Sequence, residues 1–166
     1  MMVYEEARQT AKDIRANHIG DLDMPLNFPL LRSVAASLGA DVYEAELDPG
    51  VSGFIIKYRD SRPRIYINRF DSEARKLFTL AHEIGHLVER RRAADDQYSF
   101  TDYRKGESNL REFYANEFAG ELLMPAAPFL DACGEGGVPS AARTFGVPEA
   151  VATEWHRRLG VHPAEA

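Results

Sequence analysis

Cysteine is almost absent: Cys133 is the single one among 166 residues. One thiol can form no intrachain disulfide and no cysteine cluster for a metal. Nothing basic beside Cys133 marks it as a thiolate nucleophile, so it reads as a small buried hydrophobe. Long apolar runs are also missing, since none approaches the roughly 20 residues that span a bilayer. Basic charge is in deficit, with 20 Lys and Arg against 26 Asp and Glu and a net charge of −6. That balance speaks against nucleic acid as the main partner. The opening Met1-Met2-Val3-Tyr4-Glu5-Glu6 is acidic and has no apolar signal region. These absences together predict a cytoplasmic protein with no membrane partner. No internal repeat or low-complexity segment is present.

What is present fits one domain over residues 1–166, large enough for a substantial core. Residues 3–18 read as an amphipathic helix, and 28–38 as a second closed by Gly39 at its C-terminal cap. Asp41–Leu47, Ser52–Tyr58 and Arg64–Asn68 are β-rich runs separated by turn residues, which predicts a three-stranded antiparallel meander. A long helix follows over 72–91, capped by Asp71 or Ser72 and closed by Arg90-Arg91-Arg92 at the carbonyl end of its dipole. Residues 93–107, punctuated by Gly106, read as a loop, and a further helix runs from about Ser108 to Met124 before Pro125. Ala126–Cys133 reads as a short helix, Gly134–Gly137 with Pro139 as a connector, and Ser140–Phe145 with Glu149–Leu159 as a helical pair. The order predicts an α+β fold, in three stretches: an N-terminal helix at 1–24, a core at 25–125 and a helical tail at 126–166.

His82-Glu83-Ile84-Gly85-His86 carries the chemistry. Residues i and i+4 share a helical face, so both imidazoles can reach one metal ion. Glu83, about 100° round the axis, suits a water on that ion better than the ion itself. By chance alone the pattern arises in roughly one chain in a hundred of this composition. Leu77, Leu80, Ala81, Ile84 and Val88 form the apolar stripe of the helix. Arg75, Thr79, His82 and His86 align on a different, polar face. Gly85 lowers helix stability by about 1 kcal/mol relative to Ala, and close packing or passage of a substrate backbone would explain it.

Catalytic zinc takes three protein ligands and leaves one position open. His18, His156 and His162 read as free surface residues, which leaves Glu112, Glu117 and Glu121 on the next helix. Glu112 shares its face with Ala115, Asn116 and Ala119, small residues that allow close approach to the histidine helix. It is therefore the favoured third ligand, with Asn116 suited to a hydrogen bond onto a ligand. Glu117 and Glu121 point elsewhere and read as solvated. Tyr98 and Tyr103 are available as donors to an oxyanion, although each also serves simply to pin its segment.

Phe78–His86, followed by Glu112-x-x-Ala115-Asn116-x-Phe118-Ala119-x-x-Leu122-Leu123-Met124-Pro125, resembles the ImmA/IrrE family of metallo-endopeptidases. Val51–Ile55 and Ile65–Asn68 resemble the strands before the family's active helix, and Phe145-Gly146-Val147 with the helix through Trp155 resembles its helical end. Glu73-Ala74-Arg75-Lys76 departs from the denser arginine run common in the family. The resemblance implies a zincin-like fold of the glutamate-ligand type and one zinc ion on His82, His86 and Glu112. It further implies a protein substrate, a helix-turn-helix repressor encoded nearby, with Glu83 as general base; some relatives sit in toxin–antitoxin-like pairs. The alternative is a non-cleaving regulatory or toxin–antitoxin partner with a structural or vestigial metal site. A DNA-binding role through Arg157-Arg158 fits the acidity of the chain least.

Overall fold

The computed structural model describes residues 1–105 and 109–164. The positions of Gly106 and Ser108 in the turn and helix start read from sequence lie outside the described residues. The helices are α1 (Val3–Ile14), α2 (Phe28–Ser37), α3 (Glu73–Arg92), α4 (Leu110–Leu123), α5 (Ala126–Phe145) and α6 (Glu149–Val161). The strands are β1 (Asp41–Ala45), β2 (Val51–Lys57), β3 (Arg64–Asn68) and β4 (Tyr98–Tyr103). Among the described residues no helix is long and apolar enough to cross a membrane.

Helix starts follow local chemistry. Asn27, Ser72 and Asn109 each accept a hydrogen bond from a first-turn amide of α2, α3 and α4. α1 runs into a π-helical turn, Arg15–Ile19, that stops at Gly20 with φ 85°. α5 is broken at Gly137, whose φ of 84° and ψ of 168° suit no helix, so the predicted connector survives as a kink. Cys133 is half-buried beside the core rather than fully inside it.

The sheet corrects the predicted meander. It has four strands in the order β1-β3-β2-β4, and β1 runs parallel to β3 instead of pairing with β2. β2 and β3 supply most of the apolar inner face through Ile55, Ile65 and Ile67, all fully buried. β1 buries only Val42 and exposes Tyr43 and Glu44, a composition suited to an edge. The fourth strand, β4, lies within the stretch read as loop and pairs antiparallel with β2. Tyr98, Phe100 and Asp102 alternate there with Ser99 and Thr101, a period of two inside a segment too polar to stand out.

α3 packs on the inner face of the sheet, α4 packs on α3, and α1 crosses α4. The histidine-bearing face of α3 is therefore not an exposed polar face: Thr79, His82, Glu83 and His86 are all buried, while Val88 is only half-buried. The helix is enclosed on both sides along its middle turns. Glu117 and Glu121 are likewise buried rather than solvated, because α1 and α6 cover them with basic residues. Arg8 Nε donates to Glu117 Oε2 at 3.0 Å, Arg158 reaches the other oxygen, and Lys12 lies 3.9 Å from Glu121. His162 is half-buried and stacks on Tyr4 at 4.1 Å, whereas His18 and His156 are exposed.

Burial lifts the Glu121 pKa from 4.5 to about 7, against the pull of Lys12, Arg8 and Arg15. A folded-state pKa above the unfolded one gives stability that is complete below about pH 4.5 and declines up to about pH 7. Glu121→Gln should remove that decline. Denaturant unfolding should show the variant gaining on the wild type by on the order of 3 kcal/mol between pH 4 and pH 8. Parallel stability curves for the two proteins over that range would contradict the burial account.

Candidate metal centre

The centre forms where α3 and α4 touch. A Cβ added to Gly85 would meet Ala115 Cα at 3.0 Å and Phe118 Cδ1 at 3.1 Å. Gly85 therefore serves helix packing, the first of the two reasons its sequence suggests. At this separation Glu112 reaches across to both histidines, with Oε2 2.8 Å from His82 Nε2 and Oε1 3.0 Å from His86 Nε2. The donor atoms of His82, His86 and Glu112 lie within 4.8 Å of one another, and all three residues are buried.

Surrounding groups fix the imidazoles. His82 Nδ1–H donates to Asn116 Oδ1 at 2.9 Å, which leaves the Nε2 lone pair turned toward Glu112. The His86 ring lies on Phe100 of β4, centroids 4.9 Å apart, and the Arg111 guanidinium lies over the Phe100 ring at 5.0 Å. Phe78, one turn before His82, stands 6.2 Å from its ring.

Asp102 is the residue that sequence reading missed. It is half-buried on β4, and its carboxylate lies within 4.8 Å of donor atoms of His82 and Glu83. The only available signal was its two-residue spacing from Phe100, which has meaning once 98–103 is known to be a strand. Tyr98, by contrast, is buried beside Leu87 and Arg91, behind Phe100, and does not reach the histidines. Tyr103 is exposed and shares a polar groove with Arg111 and Glu112.

The electrostatics favour a cation. Burial alone would lower the His82 pKa, yet Asp102, Glu112 and Glu83 outweigh it and raise it to about 9. For His86 burial wins and the pKa falls. Burial pushes Glu83 well above the ordinary carboxylate range, and Asp102 also moves up through burial. Glu112 feels the same burial, but the two imidazoles override it and hold the carboxyl at about 2. Three carboxylates thus converge on two imidazoles in a water-poor site. Both Glu83 oxygens and His82 Nε2 are buried without a hydrogen-bond partner among the described residues. The 2.8 Å contact of His82 Nε2 with Glu112 is at ion-pair distance but lacks hydrogen-bond geometry. Two imidazoles and one carboxylate with an open side are a donor set that can hold zinc, and also manganese or iron. The residues fit the group.

Two substitutions test this assembly. Glu112→Ala should sharply weaken zinc binding in a calorimetric titration, and wild-type occupancy would remove Glu112 from the ligand set. Gly85→Val should push α4 off α3, lowering stability by about 1–3 kcal/mol through overpacking and weakening zinc binding with it. Unchanged zinc affinity in a folded Gly85→Val protein would uncouple the helix spacing from the metal.

No curated protein matches the chain significantly. A solved Mycobacterium tuberculosis transcriptional regulator shares the fold with a TM-score of 0.59 at 22% identity, over 95% of this chain and 52% of that one. This chain thus spans about half the length of that regulator. Residues 35–154, which include both motif-bearing helices, match the model of a peptidase family described as the IrrE N-terminal-like domain, and the chain belongs to that family.

Proposed function

We propose that the protein is a zinc-dependent endopeptidase with a zincin-like fold, acting on a protein partner. The observation that carries this reading is the buried Glu83, whose two oxygens have no hydrogen-bond partner among the described residues beside a three-residue metal set. A purely structural metal site has no use for such a base and fills its fourth position with protein. His82, His86 and Glu112 would hold the ion, which would supply Lewis acidity toward the scissile carbonyl and an attacking water.

Glu83 takes the proton of that water and delivers it to the leaving amine. Burial, helped by the nearby Asp102 and Glu112 and opposed by His82, raises its proton affinity, as an acid–base catalyst at neutral pH needs. Asn116 holds His82 in the tautomer with Nε2 free. Phe100 and Arg111 cover one flank of His86 and limit water there. Tyr103, on the groove that includes Glu112, is the available hydroxyl donor to the oxyanion. Among the described residues β4 has one partner strand, β2, and its other edge is open for a substrate strand beside His86 and His82.

The substrate we favour is a helix-turn-helix repressor encoded nearby. The family resemblance supports this reading, as does the longer fold neighbour, itself a transcriptional regulator. The test is incubation of the zinc-loaded protein with such a repressor. Cleavage should occur with the wild type and vanish in Glu83→Gln, which should keep its zinc. Equal cleavage by Glu83→Gln would remove the base. Tight repressor binding without cleavage by the wild type would favour the non-cleaving regulatory alternative.

A further inference from the structure

A cavity of about 370 Å³ opens between α3, α4 and α6, lined in part by two residues that also contact His82. Its apolar lining comes from Phe78, Phe113, Gly120, Ala150, Val151 and Trp155. Two of its walls belong to the metal centre's own supports. Phe78 stands 6.2 Å from the His82 ring, and Asn116, also lining the cavity, accepts the His82 Nδ1 hydrogen bond. We propose that this cavity receives a large apolar side chain of the protein substrate, next to the bond cut at the metal centre. The proposal rests on the peptidase reading and names the residue class that the enzyme selects.

The lining is preformed. Trp155 Nε1 donates to Met124 O at 2.9 Å, which locks the indole in place. Gly120 lets the ring lie against α4, since a Cβ there would meet Trp155 Cε3 at 2.4 Å. An occupant would therefore meet a rigid aromatic wall and lose little to reorganisation.

The rim argues for an apolar occupant over a charged one. Glu117 is paired with Arg8 and Arg158, and Glu154 with Arg157. Its acidic and basic groups thus neutralise one another and leave no free charge to recognise an ionic side chain. Asn116 is exposed, and among the described residues nothing accepts from its Nδ2. With Oδ1 committed to His82, that amide can donate to a substrate carbonyl at the cavity mouth. A volume of about 370 Å³ lies within the range of small-ligand sites and takes an aromatic side chain with its flanking backbone.

The test uses the zinc-loaded full chain and two dipeptide hydroxamates that differ only in a benzyl or methyl side chain beside the zinc-binding group. Calorimetry should show the benzyl compound binding at least about tenfold tighter, the scale expected from burying a phenyl group. Trp155 is the sole tryptophan, so its emission should change with the benzyl compound and not with the methyl one. Ala150 is exposed on the first turn of α6. Ala150→Trp should fill the cavity and bring the affinity ratio to about one, whereas Ala150→Ser should keep it. Equal affinities in the wild type, or a ratio retained by Ala150→Trp, would overturn the pocket while leaving the peptidase reading intact. Failure of both hydroxamates to bind the zinc-loaded protein would overturn the two together.

Discussion

The close contact of α3 and α4 at Gly85 and Ala115 is the constraint on which the rest of the structure depends. A carboxylate side chain is short, so Glu112 meets two histidines on a neighbouring helix only if the two backbones nearly touch. The glycine that permits this lowers the intrinsic stability of α3 by about 1 kcal/mol. Burial of α3 against the sheet and α4 offsets that loss, with Leu80, Ala81, Ile84 and Phe118 fully enclosed. α4 is held from its far side as well, where Arg8 and Arg158 pair with Glu117. α1 and α6 therefore support the site without contributing a ligand.

The same packing creates an electrostatic problem. His82, Glu83, His86 and Glu112 are all buried, and Asp102 adds a further carboxylate from β4. Without a cation these groups share protons unevenly: His82 and Glu83 hold theirs more strongly than usual, and Glu112 gives its own up readily. A divalent ion bound there would resolve the imbalance by replacing protons on the ligand atoms. Glu83 then remains as the carboxylate not needed for binding. Structure and chemistry meet at that residue.

Much of this was legible in the chain. The helical spacing of His82 and His86, the Ser72 cap and the small-residue face beside Glu112 are local patterns, and α2 and α3 fall within one residue of their expected limits. What was not legible depends on long-range pairing. β1 joins β3 because β2 and β3 form the more apolar hairpin and leave β1 an edge, which no turn residue records. β4 hides its alternation among polar residues, and Asp102 was lost with it. Glu117 and Glu121 look like solvent-facing glutamates until Arg8, Lys12 and Arg158 are brought over them. Their counterparts were visible as basic residues four apart on α1, but only the fold matches one helix to the other.

Helix contact thus assembles a candidate metal centre of two imidazoles and one carboxylate, and the function proposed for the protein follows from that centre. X-ray absorption at the zinc edge of the loaded protein measures its shell directly. Two histidine nitrogens and the Glu112 oxygen should appear at about 2.0–2.2 Å, with solvent oxygen completing the shell. A closed shell of four protein ligands with no solvent oxygen, or one with fewer than two imidazoles, would contradict it.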